Sequence, residues 1–152
     1  GECNGHGAFT HTAYNDCEIV ADNLLKGASR SLRDRIPAYA LFTDPPLGRA
    51  GLTEREALQA GHKIRVATIP MASVSRAIEK GETAGLMKLI VAADTDQILG
   101  AAILGTAGDE VIHAILDLMY AKAPYTILQQ VVHIHPTVAE FLPVLPNLLK
   151  PS

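Results

Sequence analysis

The chain has 152 residues, 48% of them apolar and only 19% charged, with a formal net charge of −3. That length suits one domain with a proper core, while a charge fraction below the about 25% usual for soluble domains points to a face covered by a subunit or a neighbouring domain. The 13 Lys and Arg residues are scattered, which argues against nucleic acid, and no apolar run reaches the about 18 residues that a membrane span needs.

The chain opens on "GECNGHGAFTHT", a glycine-rich stretch with no run-up, and so reads as cut from a longer sequence. This stretch reads as a plain loop, with a phosphate-binding turn before a helix as the alternative. It does not match G-x-G-x-x-G after a strand. A helix is expected over about Thr12–Lys26, with Ile19, Val20, Leu24 and Leu25 on one face and Gly27 as its stop. The polar, basic run "ASRSLRDRI", residues 28–36, reads as a linker, so a boundary falls after Ile36. Cys3 and Cys17 make neither a zinc nor a disulfide framework, and fit a reduced, cytoplasmic setting.

Beyond the linker, "YALFT" predicts a strand over Tyr39–Thr43, and "DPPLGRAG" a Pro/Gly loop. Thr53 and Glu56, three residues apart, have capping-box spacing for a short helix that ends at Gly61. Alternation over Lys63–Pro70 predicts a strand. "SVSRAIEKGETAG" fits either a helical turn or an extended loop. Two β-rich runs, Leu86–Ala92 and Ile98–Leu104, flank "DTDQ" and predict a hairpin. The next stretch, "AGDEVIHAILDLMYAKA", predicts an amphipathic helix with Val111, Ile112, Ile115, Leu116 and Met119 inward and Asp109 and Glu110 at its positive end. "PYTILQQ" predicts a short helix and "VVHIHP" an extended segment, because the residue before proline avoids the helical region. A last helix begins at Thr137 and must kink or split at Pro143 and Pro146. A hairpin with helices gathered around it makes the class α+β, an antiparallel sheet with helices packed on it.

The segment "HIHPTVAEF" holds the chemistry. Thr137 and Glu140 have capping-box spacing, which accounts for both residues structurally. An acid–base reading makes His135 the proton carrier and Glu140 the carboxylate that fixes its tautomer and stabilises the imidazolium. A metal reading joins His133 and His135 with Glu140, and needs a distal ligand such as His62 or His113.

"HIHPTVAE" resembles the His-Pro-Thr-x-x-Glu signature that closes the FAD-dependent pyridine nucleotide–disulfide oxidoreductases, which include dihydrolipoamide dehydrogenase, glutathione reductase and the mercuric reductase-like proteins. "GECNGHGAFTHTAYNDCEIVADNLL" is similar to the end of that family's FAD domain, "FTDPPLGRAGLTEREA" to the start of its interface domain, and "GETAGLMKLIVAADTDQILGAAILG" to its central hairpin. The resemblance implies that residues 1–36 are the tail of an FAD-binding domain with its linker, and residues 37–152 a C-terminal dimerisation domain. It implies that His135 is the acid–base for a redox dithiol of the other subunit, and Glu140 its orienting partner. It puts Glu2 where the family has an aspartate on the flavin's ribityl chain, and His11 at the flavin edge, so both become candidate cofactor-binding residues. Strict mercuric reductases carry a tyrosine-type sequence instead of His-Pro-Thr and a cysteine pair near the C-terminus. His135 and the ending "LLKPS" therefore favour a disulfide reductase or a dihydrolipoamide dehydrogenase.

The chain has no Cys-x-x-x-x-Cys dithiol and no nucleotide fingerprint. The expectation is therefore an inactive fragment of a homodimeric enzyme that uses FAD and NAD(P) when whole, on a small disulfide, dithiol or metal-ion substrate. The fragment itself is expected to hold no cofactor or metal and to have no nucleic-acid or membrane partner. The structural alternative is a homodimerisation module without a catalytic role.

Overall fold

The computed structural model describes residues 1–151, which divide into two compact units, Gly1–Arg35 and the residues from Ile36 onward. The first unit holds a 3₁₀ turn, Glu2–Asn4, the helix α1, Thr10–Lys26, and a second 3₁₀ turn, Leu32–Asp34. α1 begins two residues earlier than the sequence suggests and ends where expected, at Gly27, whose φ of +66° suits a residue without Cβ.

The second unit is α+β. Its strands are β1, Ala38–Leu41; β2, Leu47–Gly51; β3, Ile64–Pro70; β4, Leu86–Ala92; β5, Ile98–Leu104; and β6, Lys150–Pro151. They form one sheet in the order β1-β2-β5-β4-β3-β6, every neighbouring pair antiparallel. The β4–β5 hairpin has the bounds read from the sequence. β2 and β6 do not appear in that reading. β2 runs through "LGRAG", where the glycines that suggest a loop instead serve a strand beneath a helix.

Alternation puts Ala67, Ile69, Met87, Leu89, Val91, Ala101 and Ile103 on one sheet face, all but solvent-free. α4, Gly108–Tyr120, lies on this face and buries Ile112 and Ile115. It approaches very closely. A Cβ on Gly48 would lie 2.1 Å from the Gly108 carbonyl oxygen, and one on Gly108 would lie 2.4 Å from that of Ile103. On the opposite face the short helix α2, Glu54–Gln59, shelters a small cluster of Ala57, Ile64 and Ile90. Its predicted capping box is present: Thr53 Oγ1 accepts from the Glu56 amide at 3.0 Å, and Glu56 Oε2 accepts from the Thr53 amide at 2.7 Å. The undecided segment becomes a one-turn helix, α3, Ser75–Lys80, ended by Gly81 at φ +71°.

α5, Tyr125–Gln130, is pinned to the hairpin turn. The Tyr125 amide donates to the Asp96 carbonyl at 2.9 Å, and Arg65 bonds Asp96 Oδ1 at 2.6 Å while stacking on the Tyr125 ring at 5.1 Å. After an extended stretch the chain enters a long 3₁₀ segment, Ala139–Leu148, rather than the kinked α-helix expected. Pro143 and Pro146 supply no amide for regular α-helical bonding, and the tighter winding accommodates them. Val138, Leu142 and Leu145 are buried in the main core and anchor this segment.

The close approach of α4 to the sheet sets a ranking of glycine substitutions. Gly48→Ala drives its methyl into backbone and costs more than the about 1–3 kcal/mol of ordinary overpacking. Gly61→Ala meets open space and bears only the positive-φ strain, about 1–2 kcal/mol. Urea midpoints rank the two, and a Gly48→Ala protein as stable as Gly61→Ala contradicts the packing described. The α2 cap sets a pH dependence. The Thr53 amide bond holds the Glu56 carboxyl below its ordinary value of 4.5. A depressed carboxylate stabilises the fold above that value and loses its effect as pH falls through the folded-state value. The stability gap between the native chain and Glu56→Ala is therefore widest above about pH 5 and narrows in acid, as urea titrations across pH report.

Candidate functional site

His135 stands at the junction of the extended stretch and the 3₁₀ segment. α5 is capped by Val131, whose backbone turns extended (φ −72°, ψ 146°). The chain then runs exposed through Val132, 97% accessible, and Ile134, 79% accessible. The His135–Pro136 peptide is cis. Thr137 closes the turn: its hydroxyl donates to the Ile134 carbonyl at 2.6 Å and accepts from the Glu140 amide at 3.3 Å.

The other half of the anticipated capping box does not form. Glu140 Oε2 turns to His135 Nδ1 at 2.8 Å. Its side chain is only 15% exposed, against 74% for His135. A carboxylate accepts, so in this contact Nδ1–H donates and Nε2 is left outside it. Thr137 thus caps the turn while Glu140 orients the histidine. The pair is an exposed histidine held by a carboxylate on a segment that Val138 and Leu142 anchor in the core.

The metal arrangement does not assemble. Glu140 is engaged with His135, His62 is exposed in the loop between α2 and β3 and His113 on α4, and among the described residues no three His, Cys, Asp or Glu side chains come together as a metal site. His133 is half-buried, and its Nδ1 is enclosed without a hydrogen-bond partner among the described residues.

In the first unit Glu2 is exposed on the opening 3₁₀ turn, and His11 is exposed in the first turn of α1, its ring stacked on Phe9 with centroids 5.3 Å apart. The glycine-rich stretch is tied down by two residues that no sequence pattern singles out. Asp16, buried on α1, accepts from Asn4 Nδ2 at 2.7 Å and from Arg35 Nη1 at 2.7 Å. Arg35 also donates to the carbonyls of His6 and Thr12. Arg35 lies in the run read as linker, and no local pattern reveals a clamp made to a helix nineteen residues back.

Residues 37–145 match the family described as pyridine nucleotide-disulphide oxidoreductase, dimerisation domain. The chain belongs to this family. It is 38% identical over 152 residues to RclA of Escherichia coli, a probable pyridine nucleotide-disulfide oxidoreductase, covering 99% of this chain and 34% of that protein. It is 34% identical to mitochondrial dihydrolipoyl dehydrogenase of Schizosaccharomyces pombe, over 87% of this chain and 26% of the relative, and 34% identical to a Staphylococcus aureus mercuric reductase, over 77% and 23%. The solved structure of RclA, named an HOCl-induced flavoprotein disulfide reductase, superposes with a TM-score of 0.91 over 99% of this chain and 35% of that one. The chain thus spans about a third of the length of RclA. The family is one of oxidoreductases, and the α+β dimerisation fold is the one expected from the sequence.

Nitrogen-15 shifts of the His135 ring test the tautomer. They report Nδ1–H in the native chain. Glu140→Gln removes the anionic acceptor and shifts the balance toward Nε2–H; identical shifts in the two proteins contradict the assigned contact.

Proposed function

We propose that the chain is the C-terminal part of a homodimeric flavoenzyme that passes electrons between NAD(P), FAD, a redox dithiol and a small disulfide or dithiol substrate, with His135 as the acid–base. The observation that carries this reading is the 2.8 Å contact between Glu140 Oε2 and His135 Nδ1 in an exposed turn. A histidine so held takes a proton at Nε2 from an attacking thiol and returns it to the departing thiolate, with Glu140 stabilising the imidazolium in between. His135 does this for the dithiol of the other subunit. Exposed Val132 and Ile134, on the same stretch, support a subunit contact there. A metal-ion substrate, as the mercuric reductase name indicates for that relative, is a second candidate beside disulfides.

Residues 1–36 then close an FAD-binding domain and link it to the dimerisation domain, 37–152. The donor set fits the group. Glu2 offers an exposed carboxylate to hydroxyls of a ribityl chain, one methylene longer than the family's aspartate. The 17-residue α1 follows Phe9, which has no side-chain acceptor, and its positive end suits the electron-rich edge of a flavin beside His11. FAD, when bound, supplies the two-electron carrier; the dithiol and the NAD(P) site belong to sequence outside this chain, so the isolated chain is inactive. A cytoplasmic setting accords with two reduced cysteines, and no helix among the described residues is long and apolar enough to cross a membrane.

The test is His135→Gln in the full-length polypeptide. Flavin content and reduction by NAD(P)H stay unchanged, while the dithiol half-reaction, followed by stopped flow, slows by about 10²–10⁴. Unchanged turnover overturns the role of His135.

A further inference from the structure

The glycine-rich stretch of the first unit is held by a closed circuit of hydrogen bonds through four residues. Arg35 Nη2 donates to the His6 carbonyl at 2.8 Å, and the His6 amide donates to Asn4 Oδ1 at 2.8 Å. Asn4 Nδ2 donates to Asp16 Oδ2 at 2.7 Å, and Arg35 Nη1 closes the circuit on Asp16 Oδ1 at 2.7 Å. The Asp16 and Arg35 side chains are only 8% and 12% exposed, so the link at the helix is sheltered from water. The stretch itself has little packing to shape it, since every residue from Gly1 to Gly7 is exposed. Gly5 and Gly7 take φ of +72° and +115°, and glycine loses more conformational freedom on ordering than any other residue. Such a loop keeps one shape through its hydrogen bonds. The circuit also suits an arginine: a planar fork serves a carboxylate and a carbonyl from its two ends at once, whereas a lysine ammonium is a single point of charge.

We propose that Arg35 is a positioning residue for the flavin: through this circuit it holds the loop that carries Glu2 in its flavin-binding shape before the flavin arrives, and so sets the flavin's affinity. Glu2 opens the 3₁₀ turn that ends at Asn4, so the circuit fixes the turn that presents its carboxylate. A loop already ordered adds no ordering cost to binding, and a loop released from the circuit does. This inference rests on the reading of residues 1–36 as the end of an FAD-binding domain.

The full-length protein is made as Arg35→Met, which keeps the length of the side chain and removes the fork, as Asn4→Ala, which opens the circuit on its far side, and as the double variant. Each is stripped of flavin and titrated with FAD. Among the described residues no hydrogen bond joins Arg35 to Asn4 directly, so coupling between them runs through Asp16 and His6. The expected result is a dissociation constant for FAD raised about tenfold or more in each single variant. The double variant stays within about threefold of the worse single, because a circuit already open loses little from a second cut. In the flavin-free protein, hydrogen exchange over residues 1–9 is faster in all three variants than in the native chain. Losses that multiply in the double variant overturn the inference in favour of two unrelated contributions to stability. Native FAD affinity in either single variant, or exchange unchanged from the native chain, overturns it too. If Arg35→Met does not fold, Arg35→Lys takes its place in the same cycle; if that variant does not fold either, Arg35 is a purely structural residue and the inference falls. A native full-length protein that binds no flavin overturns the reading of residues 1–36, whereas tight flavin binding indifferent to Arg35 and Asn4 overturns only the role of the circuit.

Discussion

The second unit depends on a contact made without side chains. Gly48 on β2 and Gly108 at the start of α4 meet backbone to backbone, and Gly108 lies against the Ile103 carbonyl on β5. Any Cβ at these places would need the helix to lift. Because it does not lift, Ile112 and Ile115 reach the sheet and close the core over Ala50, Ala101 and Ile103. Dispersion falls steeply with separation, so a helix held away from the sheet forfeits much of the packing that makes this face a core.

The site inherits its rigidity from that core by a short route. The hairpin turn at Asp96 bonds both Arg65 on β3 and the first amide of α5, so the direction in which α5 leaves its turn is set by the sheet. At the other end of the exposed stretch, Val138, Leu142 and Leu145 sink the 3₁₀ segment into the same core. His135 sits between these two fixed points, in water but not adrift. Glu140 is the less exposed member of the pair, and the His135 ring it holds stands in solvent. The acid–base role proposed for His135 needs this division: a side chain open to its reactant, and a counter-charge that does not wander.

The first unit solves a different problem. A glycine-rich stretch has little intrinsic shape, and here Asp16 and Arg35 supply it from outside the stretch, one from the helix and one from beyond it. Their bonds run to the Asn4 side chain and the His6 carbonyl, leaving Glu2 exposed at the front of the loop. This is also where local reading of the sequence was poorest, since Arg35 looks like one more solvated charge in a basic run.

Local patterns were enough for elements whose stability is local. The β4–β5 hairpin, the Thr53–Glu56 cap, the glycine stop of α1 and the amphipathic α4 each carry their cause within a few residues, and each was legible. The His135–Glu140 pairing was legible too, through family resemblance, though spacing alone favoured a cap over a contact with the histidine. What the sequence by itself determined was thus the class, the family motifs and the candidate pair. The tertiary structure decided the rest. It made "LGRAG" a strand, because Gly48 there serves a distant helix, at Gly108, rather than a turn. It let two prolines set a 3₁₀ winding in place of a kinked α-helix. And it turned Glu140 from its cap to His135, a choice between two nearby hydrogen-bond partners that depends on where the buried segment behind it comes to rest, and that no periodicity encodes.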